Sequence, residues 1–257
     1  MTAVTAPRPV ATPFGRILNV ARLNTANPMT LIVLPWAIMG LILLINIVIW
    51  SLLAYTLSPA EYEKAQWGFQ WSGASLWVFV YMLIAGIQAM SITFPFALGY
   101  GVTRRDFYLG SSLAFVIVSV MYAVGMTILA AIEKATNGWG LGGRMFTSIY
   151  FGGADAQWYE RFWIFLCYLL LAFFVGTVFA AVWVRWKGYG ITVAFILLTL
   201  LVLGLIVIGA FSGIGEDFFA VVAQLATTQL ATWSLAITAV SGLIGFALLR
   251  RATPRAA

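Results

Sequence analysis

The sequence predicts an all-α integral membrane fold: six transmembrane helices, an N-terminal amphipathic interfacial helix, and short re-entrant helices before the sixth span. Three observations predict it. Hydrophobic residues make up 63% of the 257-residue chain and charged residues 9%, against about 25% charge in a typical soluble domain. Charges are absent from six long stretches: Arg22 to Glu61, Lys64 to Arg104, Asp106 to Glu133, Arg161 to Arg185, Lys187 to Glu216, and Asp217 to Arg250. Basic residues gather on alternate segments between those stretches. A chain this apolar cannot cover a water-facing surface, so lipid is its solvent.

Each charge-free stretch holds one helix of about 20 apolar residues, the length that crosses a bilayer core. The spans fall near 29–55, 74–99, 110–132, 161–184, 189–211 and 229–249. They are continuous Leu/Ile/Val/Phe runs, not the ten-residue alternation of a membrane β-barrel. Pro35 and Pro95 lie within spans and predict kinks whose freed carbonyls find partners on neighbouring helices. With the N-terminus inside, Arg8, Arg16, Arg22, Arg104, Arg105, Arg185, Lys187, Arg250, Arg251 and Arg255 are cytoplasmic. Only Lys64, Lys134, Arg144 and Arg161 are outside. That asymmetry is the positive-inside pattern of a multi-pass protein of the inner (plasma) membrane with both termini cytoplasmic. The net charge of +6 follows from topology and gives no sign of nucleic-acid binding.

The segments between spans divide the chain further. Residues 1–11 read as a disordered tail; Met1–Val10 has prolines and no apolar core, so no cleaved leader is expected. Residues 12–27 read as the amphipathic helix, with Phe14, Ile17, Leu18 and Ala21 on one face and Arg16, Asn19 and Arg22 elsewhere. Asn27-Pro28 ends it. Residues 28–250 form the membrane domain and 251–257 a cytoplasmic tail. Trp67, Phe69 and Trp71 suit an outer headgroup belt, and the glycine- and aromatic-rich segment Glu133–Arg161 is the longest outer loop, a headgroup anchor or a lid. Phe218–Leu225 and Ala226–Leu230 are apolar but too short to cross, and read as the re-entrant pair, with Glu216 and Asp217 at its start.

Much familiar chemistry has no residues to carry it. The chain has no histidine and a single cysteine, Cys167, which excludes an intrachain disulfide and the common haem and zinc ligand sets. No Gly-x-x-x-x-Gly-Lys-Ser/Thr phosphate cradle occurs, and no nucleophile has a base or an acid partner. The chain is therefore not expected to be an enzyme or to bind a cofactor. The spans also lack the buried charge on which ion-coupled carriers depend. Their polar residues suit helix–helix hydrogen bonding; Gln88 and Ser91, three residues apart on one helical face, are the candidate pathway pair.

One inner loop stands out. Phe94–Gly110 reads Phe-Pro-Phe-Ala-Leu-Gly-Tyr-Gly-Val-Thr-Arg-Arg-Asp-Phe-Tyr-Leu-Gly. Thr103 can cap a short helix whose first turn carries Arg104, Arg105 and Asp106. Phe107 and Tyr108 put large aromatic rings beside the basic pair, which suits either a protein-docking knob or a topological anchor at the interface. The stretch resembles the end of the second span in membrane subunits of type 2 ABC exporters, where a proline–aromatic, glycine-rich run leads into Gly-Val-Thr/Ser-Arg-Arg-Asp/Glu-Phe/Tyr. The order of segments along the whole chain is similar as well. The resemblance implies that Thr103, Arg104, Arg105, Asp106, Phe107 and Tyr108 form a coupling helix bound by a separate ABC ATP-binding subunit. ATP and Mg would then be held by that subunit, and the chain would pair with a second permease, identical or homologous, within membrane lipid. The alternative is a membrane-embedded accessory or assembly protein without a transport path.

Overall fold

A computed structural model describes residues 12–212, 220 and 224–251. Among these residues the regular structure is helical, and five helices are long and apolar enough to cross a membrane. The first helix, α1 (Pro13–Asn24), starts where expected: the Thr12 hydroxyl accepts the Gly15 N–H at 3.1 Å, and Pro13 takes a first-turn position where its missing N–H costs nothing. Its buried residues are Val20 and Ala21, while Phe14 is exposed.

After Asn27, whose side-chain oxygen accepts the Met29 N–H, the chain enters one π-helical turn (Met29–Val33) and then α2 (Leu34–Thr56). Pro35 brings no N–H to this region, so carbonyls one turn earlier need other donors. Two tyrosines supply them. Tyr81 donates to the Thr30 carbonyl at 2.6 Å and Tyr122 to the Leu31 carbonyl at 2.8 Å, the partners on neighbouring helices that a proline at this position calls for. Trp36 stacks flat on Tyr122, with ring centroids 5.0 Å apart.

A short outer helix, α3 (Pro59–Phe69), was not foreseen, although Ser58-Pro59-Ala60-Glu61 spells a capping box with proline at the first helical position. The second apolar helix is not uniformly α-helical. It comprises α4 (Trp77–Gln88), a π-helical turn (Ala89–Thr93) and α5 (Phe94–Gly99), with Pro95 just past the turn. The third is α6 (Arg104–Ala135), unbroken for 32 residues.

The fourth long helix, α7 (Trp158–Ser212), is too long to be one straight rod across a bilayer: 55 residues would extend roughly 80 Å at about 1.5 Å per residue. Lys187 interrupts it with φ 56° and ψ −145°. Phe179 and Phe195 show what the interruption does. Their rings stack with centroids 5.6 Å apart, whereas sixteen residues of straight helix would separate them by roughly 24 Å. The chain therefore folds back at Lys187, giving α7 a first limb (158–186) and a second limb (188–212). The last helix, α8 (Thr227–Arg251), runs parallel to the first limb. Trp163 donates to the Thr232 hydroxyl, Gly242 lies against Phe174 and Gly245 against Thr177, a steady offset of 68 or 69 residues.

The re-entrant expectation fares unevenly. Residues 227–230, assigned to the second short helix, instead form the first turn of α8; most of the first short helix lies outside the described residues.

The core sits between α4, α6 and the first limb of α7, where Met82, Tyr122, Met126, Phe165 and Phe173 are buried. Gly86 and Gly176 let α4 and α7 touch through their backbones: a Cβ on Gly86 would stand 2.8 Å from the Phe173 carbonyl oxygen, and one on Gly176 would collide with that of Leu83. Small residues at such crossings are how apolar helices gain contact where lipid competes equally well for side chains. By contrast, α2 and the second limb of α7 leave most of their leucines and isoleucines exposed.

Candidate docking corner and the polar residues behind it

The corner between α5 and α6 is set by local chemistry. Gly101 takes φ +80°, a left-handed conformation that side-chain-bearing residues rarely adopt, and reverses the chain after Tyr100. Thr103 then caps α6, its hydroxyl accepting the Asp106 N–H at 3.1 Å. The cap is the expected one, but it opens a full-length spanning helix and not a separate short one.

The six residues proposed for docking divide by direction. Thr103 and Arg105 are exposed. Arg104 is half-buried and donates from Nη1 to the Arg250 carbonyl at 2.9 Å, tying the corner to the end of α8. Asp106 is buried in an ion pair with Arg16 of α1, Nε to Oδ2 3.4 Å, and as the acidic residue of the first turn it also suits the positive end of the α6 dipole. Phe107 is fully buried against Phe94, ring centroids 5.3 Å apart. Tyr108 donates to the Gly242 carbonyl at 2.6 Å and packs its ring on Phe246.

Phe107 and Tyr108 thus pack within their own chain, which corrects the expectation that they offer rings to a partner. The aromatic surface at the corner comes from Phe96 and Tyr100. Tyr100 is 77% exposed and its ring packs at a tilt against Phe96, centroids 4.8 Å apart.

α1 is packed along the first turns of α6. Gly110 makes this possible: a Cβ there would lie 2.6 Å from the Ile17 carbonyl oxygen and 2.5 Å from Cβ of Val20. Asn24 adds a hydrogen bond to the Ser111 hydroxyl at 3.0 Å. The face of α1 predicted to meet lipid is therefore turned partly onto protein.

Gln88 and Ser91 are not brought together. Ser91 returns its hydroxyl to the Ile87 carbonyl at 2.7 Å, while Gln88 lines a cavity of about 340 Å³ that Ser91 does not reach. The π turn between them is the reason, since a wider turn takes a residue three positions on away from the face that α-helical spacing assigns it.

At the opposite end of α6, sequence reasoning missed a buried carboxylate. Glu133 accepts the N–H groups of Met145, Phe146 and Thr147 and the Thr147 hydroxyl, at 2.6–3.1 Å. It folds the following loop back onto α6, and Tyr62 of α3 holds the same loop through the Leu141 carbonyl at 2.7 Å. Arg161, also buried, donates to the carbonyls of Gly153 and Ala156. Between α3 and this loop lies a polar cleft of about 410 Å³, with Glu63, Lys134, Arg144 and Asp155 among its walls. Outside the spans, the Glu61 carboxyl is held below its ordinary range by hydrogen bonds from the Ser58 hydroxyl and backbone N–H.

Among the described residues, no three His, Cys, Asp or Glu side chains cluster as metal ligands would. Comparison with protein families, curated proteins and solved structures finds no match.

Proposed function

We propose that this chain is the permease protomer of an ATP-driven ABC exporter, with six spans and both ends cytoplasmic, working with a second permease and separate ATP-binding subunits. The observation that carries the reading is the corner at 99–105: an exposed surface of Tyr100, Thr103 and Arg105, braced from behind by the Asp106–Arg16 pair, the Arg104–Arg250 bond and the buried Phe107. An exposed aromatic ring and an exposed arginine on one corner are the composition of an interface anchor, and a braced corner passes on a push without collapsing.

The chain path supports the span count. Because α8 runs parallel to the first limb of α7, the segment joining them has to cross back, and the second limb of α7 is the apolar helix available to do so. Its exposed face, with that of α2, offers surface for lipid or for a second permease. In this reading, closure of the ATP-binding subunits shifts the population of two permease arrangements by moving the corner, and no residue of this chain does covalent chemistry.

The test is purification in gentle detergent from native membranes. An ATP-hydrolysing subunit is expected to co-purify with the parent chain and to be lost from Tyr100→Ala, a change that leaves loop charge and therefore topology untouched. A complex without any nucleotide-binding chain would overturn the reading, and full retention by Tyr100→Ala would remove Tyr100 from the docking surface.

A further inference from the structure

The cavity beside Gln88 is built from the end of α1, the entry to α2, the π turn between α4 and α5, and Phe115 and Phe173 of α6 and α7. Both helices that turn around it leave α geometry there, at Met29–Val33 and at Ala89–Thr93. Such π turns recur at functional sites because they widen the helix and redirect side chains. The cavity's volume of about 340 Å³ falls within the range of small-molecule sites.

Its polar lining is specific in kind. Asn24, Asn27, Thr30, Gln88 and Thr93 contribute amides and hydroxyls, and no charged side chain lines it. Several threonines in the helices return their hydroxyls to their own backbone four residues earlier: Thr127 to Ala123, Thr232 to Thr228, Thr238 to Ser234. The hydroxyls of Thr30 and Thr93 and the amide of Gln88 make no such bond among the described residues. Asn24 spends its amino group on Val20 and Ser111 and keeps its carbonyl oxygen free. Asn27 uses its oxygen on the Met29 N–H and keeps its amino group. The result is a pocket lined by unspent donors and acceptors, of which those of Asn27 and Gln88 are exposed and those of Asn24, Thr30 and Thr93 half-buried.

We infer that this cavity binds the uncharged, hydroxyl-rich head of a membrane amphiphile. Hydroxyls both donate and accept, as the free amides and hydroxyls require. A phosphate or carboxylate head would need a cation that the lining lacks. The rings of Phe115 and Phe173 and the side chains of Leu31 and Val118 give the apolar wall against which the first carbons of a tail would lie. Asn24 and Asn27, at the junction between the amphipathic helix and the first span, set the entrance near one membrane face. The site belongs to a single copy of the chain and does not rest on the assembly proposed above.

The test uses the full chain in phosphatidylcholine nanodiscs with monoglucosyl diacylglycerol carrying a photoreactive group next to the head. Cross-links are expected within residues 23–31 and 85–93. Unlabelled monoglucosyl diacylglycerol should suppress them, and diacylglycerol or phosphatidylglycerol should not. Gln88→Leu should lower the yield about tenfold, the equivalent of about 1.4 kcal/mol. Competition on the unaltered protein decides the matter even if that variant folds poorly. Cross-links spread evenly over the spans, equal competition by diacylglycerol or phosphatidylglycerol, or equal competition by millimolar free glucose would each overturn the proposal.

Discussion

Replacing Phe107 and replacing Tyr100 separates packing from docking at the corner. The Phe107 ring is fully buried and meets Phe94 at 5.3 Å with the planes tilted 58°. Truncating a buried phenylalanine to alanine costs about 3–5 kcal/mol, of which the aromatic pair accounts for about 0.5–1.5 kcal/mol. In a chain of this size about 1 kcal/mol moves the midpoint of thermal unfolding by about 2–4 °C, so Phe107→Ala should lower it by about 6 °C or more. Tyr100→Ala removes a ring that is 77% exposed; its midpoint should move by less than about 2 °C, as for surface changes of about 0.5 kcal/mol. Its association with the proposed ATP-binding subunit should weaken by about 2 kcal/mol, roughly thirtyfold. Thermal unfolding in detergent and co-purification, measured on both variants, give four readings. A stable Phe107→Ala protein that fails to assemble would refute this division and return the docking role to Phe107.

Two further perturbations test other parts of the structure. Glu133→Gln keeps the size of the side chain but turns an amino group toward N–H donors that now meet carboxylate oxygen; the loss should be about 3 kcal/mol, read as faster proteolysis at 143–148, and unchanged cleavage would remove the clamp from the account. Because the Glu61 carboxyl is held below its ordinary value of 4.5 by Ser58, the cap of α3 contributes stability above that value and loses it as the pH falls through the lowered one. Protection against amide exchange in residues 59–69, taken relative to the intrinsic rate at each pH, should fall below pH 4.5, and Ser58→Ala, which keeps only the backbone N–H bond to Glu61, should weaken that pH dependence.

Much of the architecture was legible because lipid imposes strong rules. Charge gaps placed the apolar helices, the Thr103 cap lay where its spacing put it, and the demand that Pro35 makes on its neighbours is met by Tyr81 and Tyr122. The inward turn of Phe107 was harder to read, since an aromatic beside arginines marks either an interface or a docking site. A signal was nonetheless present. Counting on from Phe107 at helical spacing reaches Ser111, Ala114, Val118, Tyr122, Met126, Ala130 and Glu133, every one of them buried. Phe107 and Glu133 are the two ends of that stripe, and treating the loop as a separate short helix concealed the phase. The relation of Gln88 to Ser91 failed for a different reason: α-helical spacing carries no information about a π turn, which depends on packing around Pro95 and on the cavity it borders.

The corner and the cavity are joined by contacts already named. Arg16, paired with Asp106, and Asn24, bonded to Ser111, lie on the same 12-residue helix. Asn24 also lines the cavity, and Phe115, one turn beyond Ser111 on α6, forms its wall. A displacement of the α6 start relative to α1 must therefore either break the Asp106–Arg16 and Asn24–Ser111 contacts or carry α1 with it. The close approach at Gly110, where even a methyl group would collide with Ile17 and Val20, favours moving the two helices as one body, since a closely packed interface resists gradual deformation. If the corner is where an ATP-binding subunit pushes, that body also moves the polar entrance of the cavity. Occupancy of the cavity and engagement of the corner would then be thermodynamically linked, each altering the affinity of the other by the same factor.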